Sequence, residues 1–165
     1  MSMDTASLVG RQLVEGDLDF VRRVWNDERV APTIGGARTD RQLSDRIDYW
    51  CRHWQDHGFG ATLFHDRSTG QPIGWGGLQR STIGIGDRLT VGYVIAPEKW
   101  GRGYATEIAT ESVAHAFGIL GAHRLYASVL STNAASRRVL EKVGLSVHSE
   151  IDHGEHFEVI YAVER

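Results

Sequence analysis

The chain has 165 residues, 41% of them hydrophobic and 24% charged, with a formal net charge of −3. That length suits one domain with a substantial core, and the composition is that of an ordinary soluble globular protein. The slight acidity gives no electrostatic case for nucleic acid, no apolar run reaches membrane-spanning length, and the lone Cys51 excludes an internal disulfide and fits a reducing cytoplasm. The acid and serine near the N-terminus are unlike a basic, apolar leader. No repeat or linker-like shift divides the chain, so residues 1–165 read as a single domain.

Residues 8–14 alternate loosely and predict a first strand. Asp17 is placed to cap a helix with Phe20, Val21, Val24 and Trp25 on its apolar face. Residues 26–38 contain Pro32 and Gly35-Gly36 and read as a loop. Thr39 and Gln42 fit a capping box opening a helix to His57, with Leu43, Ile47, Trp50 and Trp54 inward and Gly58 closing it. His53 and His57 have a metal-compatible spacing, but no third ligand is evident, so they read as a surface pair and no metal is expected. Strands follow at 59–66 and 71–80. Gly74, Gly76 and Gly77 would weaken the second unless something packs close by, and Trp75 suits either the core or a cleft. Residues 82–88 read as a hairpin loop with Gly84 and Gly86.

The next stretch is the most informative. Val91-Gly92-Tyr93-Val94-Ile95 has strand composition, and Pro97 ends the strand. Gly101 and Gly103 permit positive φ, and a helical period of apolar residues then runs to Leu120. A glycine-lined helix N-terminus suits an anion, above all phosphate. A tight turn that binds nothing is the alternative at this level. A dinucleotide fingerprint fails, because the third glycine is missing and residues 124–129, the next strand, lead into Leu130-Ser131-Thr132 with no acid for a ribose. No G-K-[ST] phosphate loop exists either. Asn133 opens a helix over 134–143 with Ala135, Val139, Leu140 and Val143 inward. Gly144 ends it, and strands at 145–151 and 157–163 form a terminal hairpin. The fold class is α/β, a mixed sheet with helices on both faces.

Trp100-Gly101-Arg102-Gly103-Tyr104-Ala105 resembles the acetyl-CoA pyrophosphate loop of the GNAT N-acetyltransferase superfamily, [RQ]-x-x-G-x-[GA], with Trp100 in place of the usual Arg or Gln. That replacement is similar to the RimJ/RimL-like branch, which acetylates ribosomal-protein N-termini and other amines. Asn133-Ala134-Ala135-Ser136-Arg137-Arg138-Val139-Leu140-Glu141-Lys142-Val143-Gly144-Leu145 resembles that branch's second signature, N-x-x-S-x-x-[VL]-L-E-K-x-G-[FL]. The element order is the one expected of the GNAT fold.

The resemblance implies acetyl-CoA as donor, a primary amine as acceptor, and direct attack in a ternary complex. The pyrophosphate would meet the backbone of Gly101, Arg102, Gly103, Tyr104, Ala105 and Thr106, with Arg102, Lys99 or Arg138 adding charge. The pantetheine arm would pair with Val94, Ile95 and Ala96 and touch Asn133, and an N–H near Val94 or Ile95 would receive the oxyanion. Many relatives have a glutamate where this chain has Thr90 and a tyrosine where it has Leu140. The branch implies Ser136 as the acid, near the thioester. The base is left open among water, Glu28 and a histidine. A non-catalytic acyl-CoA-binding module is the alternative reading, and a homodimer stays open.

Overall fold

A computed structural model describes residues 3–81 and 87–165. The elements run β1 (Leu8–Gln12), α1 (Leu18–Trp25), α2 (Asp40–His57), β2 (Thr62–Asp66), β3 (Pro72–Ser81), β4 (Arg88–Ile95), α3 (Tyr104–Gly118), β5 (Arg124–Leu130), α4 (Ala134–Lys142), β6 (Ser146–Asp152) and β7 (Phe157–Glu164). The strands form one mixed sheet in the order β1-β2-β3-β4-β5-β7-β6. This is the architecture expected from the sequence. Of the expected hairpin loop at 82–88, residues 82–86 lie outside the described residues.

The core divides between the two faces. On one, Val21, Val24 and Trp25 of α1 and Leu43, Ile47 and Trp50 of α2 pack on Leu63 and Trp75. On the other, α3 and α4 bury Val113, Ala116 and Leu140 against Leu125, Ala127, Val129, Val159 and Tyr161. Trp75 is a core residue, stacked on Trp25 with ring centroids 6.2 Å apart. The glycines of β3 answer a close approach by β4. A Cβ at Gly74 would lie 2.2 Å from the Val94 carbonyl oxygen, and one at Gly76 would lie 2.6 Å from that of Gly92.

The capping box of α2 forms as expected. Gln42 donates its backbone N–H to Thr39 Oγ1 at 3.3 Å, Thr39 donates its N–H to Gln42 Oε1 at 2.9 Å, and Gly58 ends the helix at φ 74°. Asp17 does not cap α1. Its carboxylate accepts two hydrogen bonds from Arg11, at 2.7 and 2.8 Å, and the Val14 N–H at 2.9 Å. A bidentate, charge-assisted pair outcompetes a cap. Ala135 is exposed rather than inward, because α4 turns only its Leu140 side fully into the core. Trp54 is half-buried, held by an indole hydrogen bond to the Ala61 carbonyl at 2.8 Å.

His53 also departs from expectation. It is buried, not a surface residue, and both ring nitrogens are engaged. Nδ1–H donates to the Phe59 carbonyl and Nε2 accepts the Arg80 N–H, each at 2.8 Å. The ring is thus a neutral staple between α2 and β3, and burial holds its pKa below the ordinary value of 6.5. Burial lowers His65 and His115 as well. The unfolded chain therefore binds more protons than the folded one just below pH 6.5, and stability falls as pH drops through that range. His53→Ala should cost about 2–4 kcal/mol at pH 7.5, since it strands two buried backbone groups. It should also flatten the loss of stability between pH 7.5 and 5.5. Urea melts at both pH values check this.

Candidate active site

The loop between β4 and α3 turns on two glycines. Pro97–Lys99 makes one 3₁₀ turn, and Trp100 donates its indole N–H to the Ile95 carbonyl at 2.8 Å, sealing the strand end. Gly101 and Gly103 take φ of 75° and 82°, where a side chain is strained. A Cβ on either would meet nothing within 4 Å, so their backbone faces open space. Gly103 is the N-cap of α3 and offers no side chain to the helix start. The first intrahelical bond runs from the Glu107 N–H to the Gly103 carbonyl. The N–H groups of Tyr104, Ala105 and Thr106 therefore have no intrahelical acceptor, at the positive end of the helix dipole. This donor set fits a phosphate group. Arg102 is exposed beside it, and Lys99 is tied to Gln71 Oε1 at 2.9 Å.

β4 and β5 are parallel and share one registered pair, Thr90 with Tyr126. Beyond that pair the strands part, and the opening leads into a cleft of about 550 Å³ lined by both. Ala96 donates its N–H to the Ile73 carbonyl at 2.9 Å, on the β3 side. Alternation along the strand turns Val94 the same way and directs the N–H groups of Tyr93 and Ile95 into the opening. Of the three main-chain positions expected to serve a ligand, Val94 lines the cleft and Ile95 turns its N–H toward the β5 side.

Asn133 caps α4, accepting the Ser136 N–H on Oδ1 at 3.1 Å, and its amide Nδ2 reaches the Thr33 carbonyl at 3.4 Å. Ser136 Oγ lies 3.1 Å from Tyr93 Oη, which also donates to the Ser136 carbonyl at 3.2 Å. Burial pushes the Tyr93 phenol up to about 12, so it is a protonated donor at neutral pH. Tyr93 is a residue that sequence reasoning missed. It lies on β4 and reaches Ser136 only because α4 packs against that face of the sheet. Leu140, where relatives carry a phenol, is buried. Arg138 is exposed, whereas its neighbour Arg137 bonds Tyr161 Oη at 3.0 Å.

The other face of the opening carries a carboxylate. Val159 and Tyr161 enter the core under α3 and α4, so Glu158 and Ser128 project from the opposite side of the sheet. Both line the cleft, with His153 and His156. Glu158 accepts a hydrogen bond from Ser128 Oγ, and its second oxygen is 3.0 Å from His153 Nε2. Glu28 is exposed and does not line the cleft; Arg38 does. Among the described residues no group of three or more His, Cys, Asp or Glu is arranged to hold a metal ion.

A family model described as an acetyltransferase (GNAT) domain matches residues 8–146. The chain belongs to the GNAT acetyltransferase family. It is 27% identical over 144 residues to the uncharacterized N-acetyltransferase YoaA of Bacillus subtilis, covering 86% of this chain and 81% of that one. The fold matches an acetyltransferase structure from Agrobacterium tumefaciens with a TM-score of 0.87 at 22% identity, over 100% of this chain and 95% of the other. It also matches aminoglycoside acetyltransferase AAC(6′)-Ib in complex with coenzyme A, with a TM-score of 0.77 at 17% identity, over 96% and 95%. The opening has the Tyr93–Ser136 hydroxyl pair on one face and the Glu158 carboxylate on the other, and the glycine turn follows the end of β4. The sequence motifs cover Asn133 and Ser136 of the first face. Glu158 has no local signature; its alternation against Val159 and Tyr161 was the only available cue.

Proposed function

We propose that this GNAT protein is an acetyl-CoA-dependent N-acetyltransferase, acting as one catalytic domain that transfers acetyl directly to a primary amine. The observation that carries this reading is the opening between β4 and β5, with the Tyr93–Ser136 hydroxyls on one face and Glu158 on the other, next in chain to the bare N-terminus of α3. The backbone from Gly101 to Thr106 would hold the pyrophosphate, with the exposed Arg102 and Arg138 adding charge. Asn133 would steady the pantetheine arm as well as cap α4. The Ile95 N–H, facing the opening, would stabilise the oxyanion.

Acetyl-CoA supplies the thioester carbonyl. A lysine-type amine is nearly all protonated at neutral pH, so it must first lose a proton. Glu158, steadied by Ser128 and His153, takes it. The nitrogen lone pair then attacks the carbonyl, the C–N bond forms, and the C–S bond breaks. The nitrogen gives up a second proton as the departing thiolate gains one. The thiolate, with a pKa of about 8.5 for a simple thiol, needs little acid strength. Ser136 Oγ, fixed by the Tyr93 phenol, supplies the hydrogen bond. The Trp100 loop and the Asn133/Ser136 spacing favour the RimJ/RimL-like branch, which makes a protein N-terminus or a small amine the acceptor.

Calorimetric titration with acetyl-CoA, with NADH as control, tests the donor site, and amine-dependent thiol release tests the reaction. Micromolar binding of acetyl-CoA alone supports the reading; no binding overturns it. Binding without turnover of any amine would favour a non-catalytic acyl-CoA-binding module, the reading that Thr90 and Leu140 recommend. Ser136→Ala and Tyr93→Phe should each lower kcat by about 10- to 100-fold, as for loss of one transition-state hydrogen bond. The double variant should lose little more than either single one, because the two hydroxyls act as a pair. Steady-state kinetics on the three variants decides this.

A further inference from the structure

We infer that the acceptor amine carries an anionic group, a carboxylate or a phosphate, which Arg38 and Arg46 hold in the cleft. The inference rests on the acetyltransferase reading and adds the chemical class of its second substrate. Both arginines line the cleft on the wall formed with Trp25 and Trp50, and both also border the smaller hollow beside it. Neither has a carboxylate within ion-pair distance among the described residues, although Asp45 borders the same hollow. Residues 1–2 and 82–86 carry no acidic side chain that could serve them. Arg11, Arg22, Arg23, Arg29, Arg67, Arg80 and Arg124 are each paired with an acid, whereas other arginines with no acid partner among the described residues, such as Arg41, Arg52 and Arg138, stand outside the cleft.

Arg38 is also fixed in advance. Its Nη1 donates to the carbonyls of Gly35, Gly36 and Ala37 at 2.9, 3.0 and 3.0 Å. Asn26 clamps its backbone on both sides, accepting the N–H at 2.8 Å and donating to the carbonyl at 2.9 Å. The guanidinium lies 6.0 Å from the centre of the Trp25 ring. Three neutral carbonyls orient this cation without cancelling its charge. A guanidinium already held in place loses little further freedom when it binds an anion, and its planar fork suits carboxylate and phosphate. Arg46 is exposed on α2, four residues before Trp50, and adds a second, adjustable charge at the mouth.

Glu158 and His153 stand on the β6–β7 side of the same cleft. The cleft is thus bipolar. An ammonium is drawn to the carboxylate side and an anion to the arginine side, and a volume of about 550 Å³ admits a small molecule carrying both. A polyamine would set its further cations against two arginines, which selects against it.

The test is acetyl-CoA-dependent thiol release with matched acceptors: β-alanine against propylamine, O-phosphoethanolamine against ethanolamine, and spermidine. The anionic member of each pair should have a kcat/KM at least about tenfold higher, with the carboxylate and phosphate pairs reporting which anion is preferred. Arg46→Glu should lower kcat/KM for the anionic acceptors about 30-fold, chiefly through KM, and raise that for spermidine, with acetyl-CoA affinity by calorimetry unchanged. Neutral or polycationic amines used better than the anionic ones would overturn the inference while leaving the acetyltransferase reading standing. So would an Arg46→Glu variant whose preference is unaltered. Failure of the unaltered protein to bind acetyl-CoA would overturn both.

Discussion

Gly103→Glu is expected to abolish acetyl-CoA binding, lowering affinity by at least about 100-fold, the equivalent of losing two charge-assisted hydrogen bonds. Gly103 caps α3 at φ 82° with open space beside it. A Cβ there meets no heavy atom within 4 Å, so the harm of a glutamate is expected to fall on the ligand. Its side chain occupies the approach to the N–H groups of Tyr104 to Thr106, and its charge repels a pyrophosphate. The left-handed backbone adds a strain of about 1–2 kcal/mol, which should appear as a modest fall in Tm with the fold kept. Gly103→Ala separates the two effects: it carries the strain without the charge and should bind more weakly than the parent but measurably. Titration calorimetry of both variants, with thermal melts, decides the matter. Retained micromolar affinity in Gly103→Glu would remove this loop from the donor site.

Glu158→Gln should reduce kcat/KM for the acceptor by about 10²- to 10⁴-fold, the range for loss of a general base. Acetyl-CoA affinity should be unchanged, because Glu158 projects from the face of the sheet opposite α3 and α4. The amide keeps the size of the carboxylate and one acceptor oxygen for Ser128, so a folding defect is not expected. The informative readout is the pH profile. Without a base in the cleft, only amine already neutral in solution reacts. The variant's rate should then climb tenfold per pH unit toward the amine pKa, about 10.4 for a lysine-type group. Glu158→Asp should recover part of the rate. A Glu158→Gln enzyme with the parent's rate and pH dependence would end the assignment and return the base to water.

The elements were largely legible because their signals are local. The capping box at Thr39 and Gln42, the glycine stop at Gly58 and the helical period after Gly103 all act within one or two turns of chain. The glycine turn and the α4 cap were legible for the same reason. A helix N-terminus preceded by positive-φ glycines leaves backbone N–H groups open to an anion, and Asn133 and Ser136 are joined by a cap that their own spacing sets. Asp17 shows the limit of such reasoning: it has the composition of a cap, yet Arg11 from the neighbouring strand takes its carboxylate.

What only the tertiary structure decided are the contacts between distant segments. His53 looked like half of an exposed pair until β3 and the turn at Phe59 closed over both its nitrogens. Tyr93 meets Ser136 across 43 residues of sequence, and Glu158 meets Ser128 across 30. No spacing rule reaches that far, because the side-chain neighbours are set by strand order and helix packing. The sequence by itself determined the strands, the glycine turn and the open N–H groups of the helix that follows it, since backbone freedom and helix starts depend on a few adjacent residues. The carboxylate and arginine walls of the cleft were decided by the parting of β4 from β5 and the hairpin laid beside them.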